Sequence, residues 1–125
     1  MNIYRSGGSF DNTGSAGRVI LPDQVPAGQR LIIQTVTGFY AMDNGGVLGA
    51  AVLTNNGQGL QYAFPWVPCG VSTVASPDRR FYGFNYSVTL YIDGPATLQF
   101  DATGGTGGPI LSGTYTVTGL LQPLS

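Results

Sequence analysis

The sequence predicts an all-β fold, a single antiparallel β-sandwich or jelly-roll-like domain of about eight strands. Three observations predict it. Apolar and polar residues alternate over long stretches, most clearly at Tyr82, Phe84, Tyr86, Val88, Leu90 and Ile92, with Asn85, Ser87, Thr89 and Asp93 on the opposite parity. A period of two belongs to a strand with one buried face. Gly, Asn and Pro clusters interrupt the apolar runs roughly every ten residues, as they do in sandwiches and small barrels. No stretch combines helical spacing with a capping residue.

Residues 1–17, MNIYRSGGSFDNTGSAG, have no periodicity and read as an extended Gly/Ser-rich N-terminal arm, leaving 18–125 as the sandwich domain. Fixing such a backbone costs about 1–2 kcal/mol per residue. The anchors Ile3, Tyr4 and Phe10 each return only about 1.5–3 kcal/mol when buried. The arm is therefore expected to dock against a neighbouring chain, where it can also add a strand to a sheet edge.

Strand follows strand from Arg18 onward. RVIL (18–21) ends at Pro22, and 25–29 is a turn before the long β-branched and aromatic run 30–42. The DNGG turn at 43–46 leads to a strand at 47–54, and 55–59 turns again. In 60–66, Leu60, Tyr62, Phe64 and Trp66 share a face, while Pro65 marks an edge strand or a strand end. Residues 67–78 form a longer connection with a short strand at 71–75. Asp93-Gly94 has turn chemistry, and Ala96, Leu98, Phe100 and Ala102 alternate with Thr97, Gln99 and Asp101, so 86–93 and 96–102 read as an antiparallel hairpin. A Gly-rich loop at 104–109 precedes the last strand, 113–121, with Tyr115, Val117 and Leu121 inward. The expected core contains Val88, Leu90, Ile92, Leu98, Phe100, Tyr115 and Val117, with Thr89, Thr97 and Gln99 pointing away.

A chain of 125 residues suits one domain, and 42% apolar residues suit a folded one. Charge is scarce: 9% of residues, against about 25% in soluble domains. There is no Lys, Glu or His, only five Arg and six Asp. A surface built from Thr, Ser, Asn, Gln and Gly loses little on desolvation and is suited to being covered. Compositional drift or an extracellular habit is the other reading of the same numbers. A net charge of −1, with only Arg79-Arg80 as a basic pair, argues against a nucleic-acid partner. No apolar run reaches the ~18 residues of a membrane span, so no membrane partner is expected. The opening at Met1, without a charged segment leading into an apolar one, suggests a leaderless protein made in the cytoplasm. Cys69 is alone and forms no internal disulfide.

The missing residue types remove most chemistry. Without imidazole or lysine there is no Ser–His or Cys–His pair and no Schiff base, and one cysteine makes no zinc site. Asp93 and Asp101 flank the expected hairpin, and paired carboxylates can hydrolyse glycosides. Each is equally well a turn residue and a solvent-facing strand residue, so an Asp-based hydrolase stands third among the readings. The loop 104–108 lacks the Lys of a phosphate-binding loop, Asp43-Asn44 lacks the spaced acids of a calcium loop, and Asn85-Tyr86-Ser87 lies in a strand. No catalytic residue, metal or cofactor is expected. Aromatics remain: Tyr62, Trp66, Phe81, Tyr82 and Tyr91 exceed what one sandwich interior holds, and Phe81 and Tyr91 have the parity opposite to the core. Exposed rings suit a sugar-stacking platform or a subunit interface, or they pack under loops and the arm. The candidate partner-binding residues are Ile3, Tyr4, Phe10, Trp66, Phe81 and Tyr91.

The segments VPAGQRLIIQTVTGFY (25–40), SVTLYIDGPATLQFDA (87–102) and TYTVTGLL (114–121) resemble small uncharacterised bacterial and phage β-sandwich proteins. In these a PAG turn opens one strand and a closing strand ends the domain. The resemblance covers about two-thirds of the chain and implies the fold, with no functional residue carried over. By architecture alone the chain also resembles jelly-roll decoration proteins that cement phage capsids, which implies a non-enzymatic, homo-oligomeric structural protein of a virion or other assembled particle. The alternative is a carbohydrate-binding module using Trp66 or Tyr91. Because no His titrates and ordinary Asp ionises lower, the melting temperature is expected to move by less than about ten degrees between about pH 5 and 8, as calorimetry across that range would read.

Overall fold

The computed structural model describes residues 2–11, 18–43, 50–56, 58–72, 79–103 and 110–124. These carry nine strands: β1 (Asn2–Asp11), β2 (Val19–Ile20), β3 (Gln29–Asp43), β4 (Ala50–Asn55), β5 (Gln58–Pro65), β6 (Val67–Ser72), β7 (Arg79–Asp93), β8 (Leu98–Thr103) and β9 (Ile110–Pro123). They form two antiparallel sheets, one of five strands in the order β1-β9-β3-β7-β6 and one of four in the order β2-β8-β4-β5. The chain is thus an all-β sandwich. With β6 set aside, the pairs are nested: β1 with β9, β2 with β8, β3 with β7, β4 with β5. Successive pairs lie in alternate sheets, so one long hairpin is wrapped around a shared interior.

That interior is apolar because each strand turns one parity inward. Leu31, Ile33, Val36, Tyr40, Leu53, Leu98, Phe100, Tyr115 and Val117 are fully enclosed. Ile92 joins them, whereas Val88 and Leu90 are half-buried at the margin of the core. The cause is local. Ile33 pairs with Leu90 and Thr35 with Ser87, so Val88 and Thr89 together oppose the single residue Gln34. Beyond Gly83, β7 also has no neighbour on its far side among the described strands. A bulge on a sheet edge leaves its side chains poorly covered. Gln99 departs in the other direction: it has the outward parity but is buried, flanked by Ile20 and Thr54, and its Nε2 donates to Asp101 Oδ2 at 2.8 Å.

The hairpin expected from 86–93 and 96–102 does not form. Strand β7 lies in the five-stranded sheet and β8 in the other, and the chain crosses between them at Gly94-Pro95, a cis peptide. After Asp93 the backbone bonds to the preceding 25–29 segment: Gly94 N–H donates to Gln29 O, and Val25 and Ala96 exchange both of their bonds. Gly94 is needed there because a Cβ would stand 1.9 Å from Pro26 O.

The N-terminal arm also needs correction. Its first part is β1, paired with β9 from Asn2↔Leu121 to Asp11↔Ser112, an edge strand of its own domain and not a segment laid on a neighbour; 12–17 lie outside the described residues. Side-chain anchors alone would not have held it, but the ladder along β9 satisfies the backbone as well. Tyr4 and Ser6 turn inward and are buried. Tyr4 O–H donates to the carbonyl of Asp23, and Ser6 Oγ accepts from Asp23 N–H at 3.3 Å. Deleting residues 1–11 is therefore expected to destabilise the domain by at least about 3 kcal/mol, the scale of losing one buried aromatic side chain, with a urea midpoint falling to match.

Candidate interaction surface

Alternation that turns Leu31, Tyr115 and Ile92 inward must turn their neighbours outward. On the outer side of the five-stranded sheet the register sets Ile3, Leu120, Ile32 and Tyr91 side by side on β1, β9, β3 and β7. At about 4.8 Å between strands, this apolar row is roughly 15 Å long. Ile3 is 84% exposed and Tyr91 55%, with Leu120 and Ile32 half-buried between them. The next row is Arg5, Thr118, Thr35 and Ser87, and the one after is Gly7, Thr116, Thr37 and Asn85. Beyond lie Phe39 and Phe81, their rings stacked 5.7 Å apart at 24°, near the exposed Val67. The face thus runs from an apolar row, through hydroxyls and methyls, to a stacked phenylalanine pair.

Its charges are few, Arg5 in the second row and the pair Arg30 and Asp93. Arg30 meets Asp93 through two bonds, Nε to Oδ1 at 2.6 Å and Nη2 to Oδ2 at 3.2 Å, and its guanidinium lies 5.7 Å from the centre of the Tyr91 ring. The hydrogen bonds from Arg30 hold the Asp93 carboxyl below its ordinary range. On the other sheet Arg18 Nε bonds Asp101 Oδ1 at 2.9 Å. The two aspartates considered as a carboxylate pair therefore belong to different sheets, each tied to its own arginine. Among the described residues no three His, Cys, Asp or Glu side chains gather as a metal site.

Of the six candidate residues, Ile3 and Tyr91 stand at the two ends of one row and Phe81 joins the aromatic pair. Tyr4 and Trp66 do not belong to a surface: both are buried, at 4% and 6% exposure. The side chain of Phe10 lies outside the described residues, as do the loop 104–108 and Asn44. Ile32, Leu120 and Phe39 were missed. Phe39-Tyr40 carried the available signal, since adjacent strand residues cannot both face the core, and here Tyr40 took it.

Trp66 goes inward because the interior is a cluster of rings. It meets Tyr40 edge-on at 4.7 Å, Phe84 at 4.6 Å and Tyr115 at 5.8 Å, and Phe100 stacks on Tyr115 at 4.4 Å. Gly38 makes room, since a Cβ there would lie 2.7 Å from the Phe84 ring. Compared with models of known protein families the chain matches none, and no curated protein matches it.

Burial, the largest cause, pushes the phenols of Tyr40 and Tyr115 far above the ordinary tyrosine value of 10.0. In the unfolded chain they ionise at that ordinary value, so the folded state binds more protons above it and stability is lost as pH rises past 10.0. A urea midpoint that is level below that pH and falls steeply above it is expected, and Tyr40→Phe or Tyr115→Phe should make the fall shallower.

Proposed function

We propose that this chain is a non-enzymatic structural subunit of the jelly-roll kind, a decoration or assembly protein of a virion or similar particle that works through protein–protein contacts. The outer face of the five-stranded sheet carries the reading. It presents the row Ile3, Leu120, Ile32 and Tyr91 beside threonines, with Arg30 and Asp93 already neutralising each other. Covering such a face releases water from apolar surface and strips few ions, which favours association. The nested pairing, alternating between sheets, supports the jelly-roll assignment; fold by itself assigns no role.

A sugar-binding module would draw on the same exposed rings. It loses Trp66 to the core, and Arg30 already lies against the Tyr91 ring. Sedimentation velocity over a concentration series, beside a glycan-binding panel, tests the proposal. Reversible self-association without sugar binding is the expected result. A monomer that binds a glycan would overturn it.

A further inference from the structure

An open sheet ends in strands whose outward N–H and C=O groups have no partner, and proteins guard such edges with brevity, proline, charge or bulges. Most free edges here are guarded. Strand β2 has two residues. Strand β5 ends at Pro65 and shifts register against β4, and β6 contains Pro68 beside its own register shift. The free stretch of β7 carries the bulge at Val88 and Thr89. Strand β1 has no such brevity, proline or bulge, and its charges are Arg5 and, at its last residue, Asp11. Its ten residues include no Pro or Lys, and they pair with β9 without a break.

The side chains of β1 are also unequal along its length. Ile3, Tyr4 and Arg5 are bulky, and after Ser6 come Gly7, Gly8 and Ser9. An antiparallel second β1, turned about a two-fold axis at Ser6, sets Ile3 opposite Ser9, Tyr4 opposite Gly8 and Arg5 opposite Gly7. Residues equidistant from Ser6 share a parity, so outer face continues into outer face. No arginine faces its own copy. The strand is its own complement, bulk against small.

We propose that β1 is a self-pairing edge, by which two copies of this chain join β1 to β1 about a two-fold axis at Ser6 and form one sheet through both. This rests on the assembly reading and names its surface. A second copy is the occupant because β1 itself supplies the small residues its bulky half needs, and isologous two-fold contacts are the commonest way for like chains to join. The exposed Ile3, at the end of the apolar row, then lies inside the joint. Edge pairing over so few residues buries less than the roughly 1,200 Å² of a stable interface, so the dimer forms at high local concentration, as within an assembly.

Amide exchange by NMR on the full chain, at low and high concentration, reads the joint directly. In a monomer, alternate β1 amides point away from β9 and exchange fast; in the dimer they are expected to slow as sedimentation reports two copies. Ile3→Lys with Ser9→Lys changes two exposed positions and sets lysine against lysine across the axis. At a dilution where the unaltered chain is monomeric the melting temperature should hold, while at high concentration the dimer is lost. Mixing that chain with one carrying Ile3→Asp and Ser9→Asp should restore it. Self-association that leaves the outward β1 amides fast would overturn the inference while sparing the assembly reading. A monomer at every concentration would overturn it too, and the glycan panel then decides separately whether the assembly reading falls.

Discussion

Strand β3 is the member from which the five-stranded sheet takes its geometry. It is paired on both sides along nearly its full length, with β7 and with β9. Its register at Gln34 shifts against both neighbours at once, between Ile33 and Thr35. That shift changes which parity of β3 faces inward: Leu31 and Ile33 before it, Val36 and Tyr40 after it. The inward turn of Tyr40 seats the ring cluster of Trp66, Phe84 and Tyr115, and the outward turn of Ile32 completes the row between Tyr91 and Leu120. One register irregularity therefore sets both the packing of the core and the composition of the exposed face.

The same irregularity explains why some elements were legible in the sequence and others were not. The inward parity is constant from Leu98 to Phe100 on β8 and from Gly113 to Gly119 on β9, and Leu98, Phe100, Tyr115 and Val117 were readable from alternation alone. In 30–42 the parity switches midway, so the run reads as uniformly apolar and hides both Ile32 and Phe39 as surface residues. Alternation also gives each strand its buried face without saying which sheet it joins. Asp93-Gly94 had the chemistry of a tight turn, but the chain leaving it bonds to 25–29, a contact between residues distant in sequence. The N-terminal strand was hidden for an energetic reason: composition weighs side chains, and Gly7 and Gly8 are held in β1 by a backbone ladder that no side-chain pattern announces.

The scarcity of charge has a consequence for the surface as a whole. Soluble domains commonly keep apart by like-charge repulsion and by a hydration layer that is costly to strip. This chain, at net −1 with 9% charged residues, has little of either. Its ion pairs are exposed on their own sheets and contribute modestly to stability. Cohesion must come from the enclosed rings and aliphatics, and hydration of the surface from hydroxyls and amides. Such a surface resists association weakly everywhere, so where association occurs depends on shape and on unpaired backbone.

Topology bears on where that unpaired backbone sits. In a nested arrangement the innermost pair, β4 with β5, closes a short loop, while the outermost, β1 with β9, joins residues from opposite ends of the chain. Closing longer loops costs more entropy, and non-local β pairing is slow. The outermost pair therefore closes the longest loop of the four, and β1 meets the rest of its sheet only through β9, which pairs with β3 on its other side. Once it joins, β1 stands at the end of the five-stranded sheet with its outward groups unpaired among the described strands. The strand whose pairing closes the longest loop is thus also the one that leaves its edge open, and a second β1 docked there would stabilise that closure in the same step, since any contact made only by the folded state shifts the balance toward it.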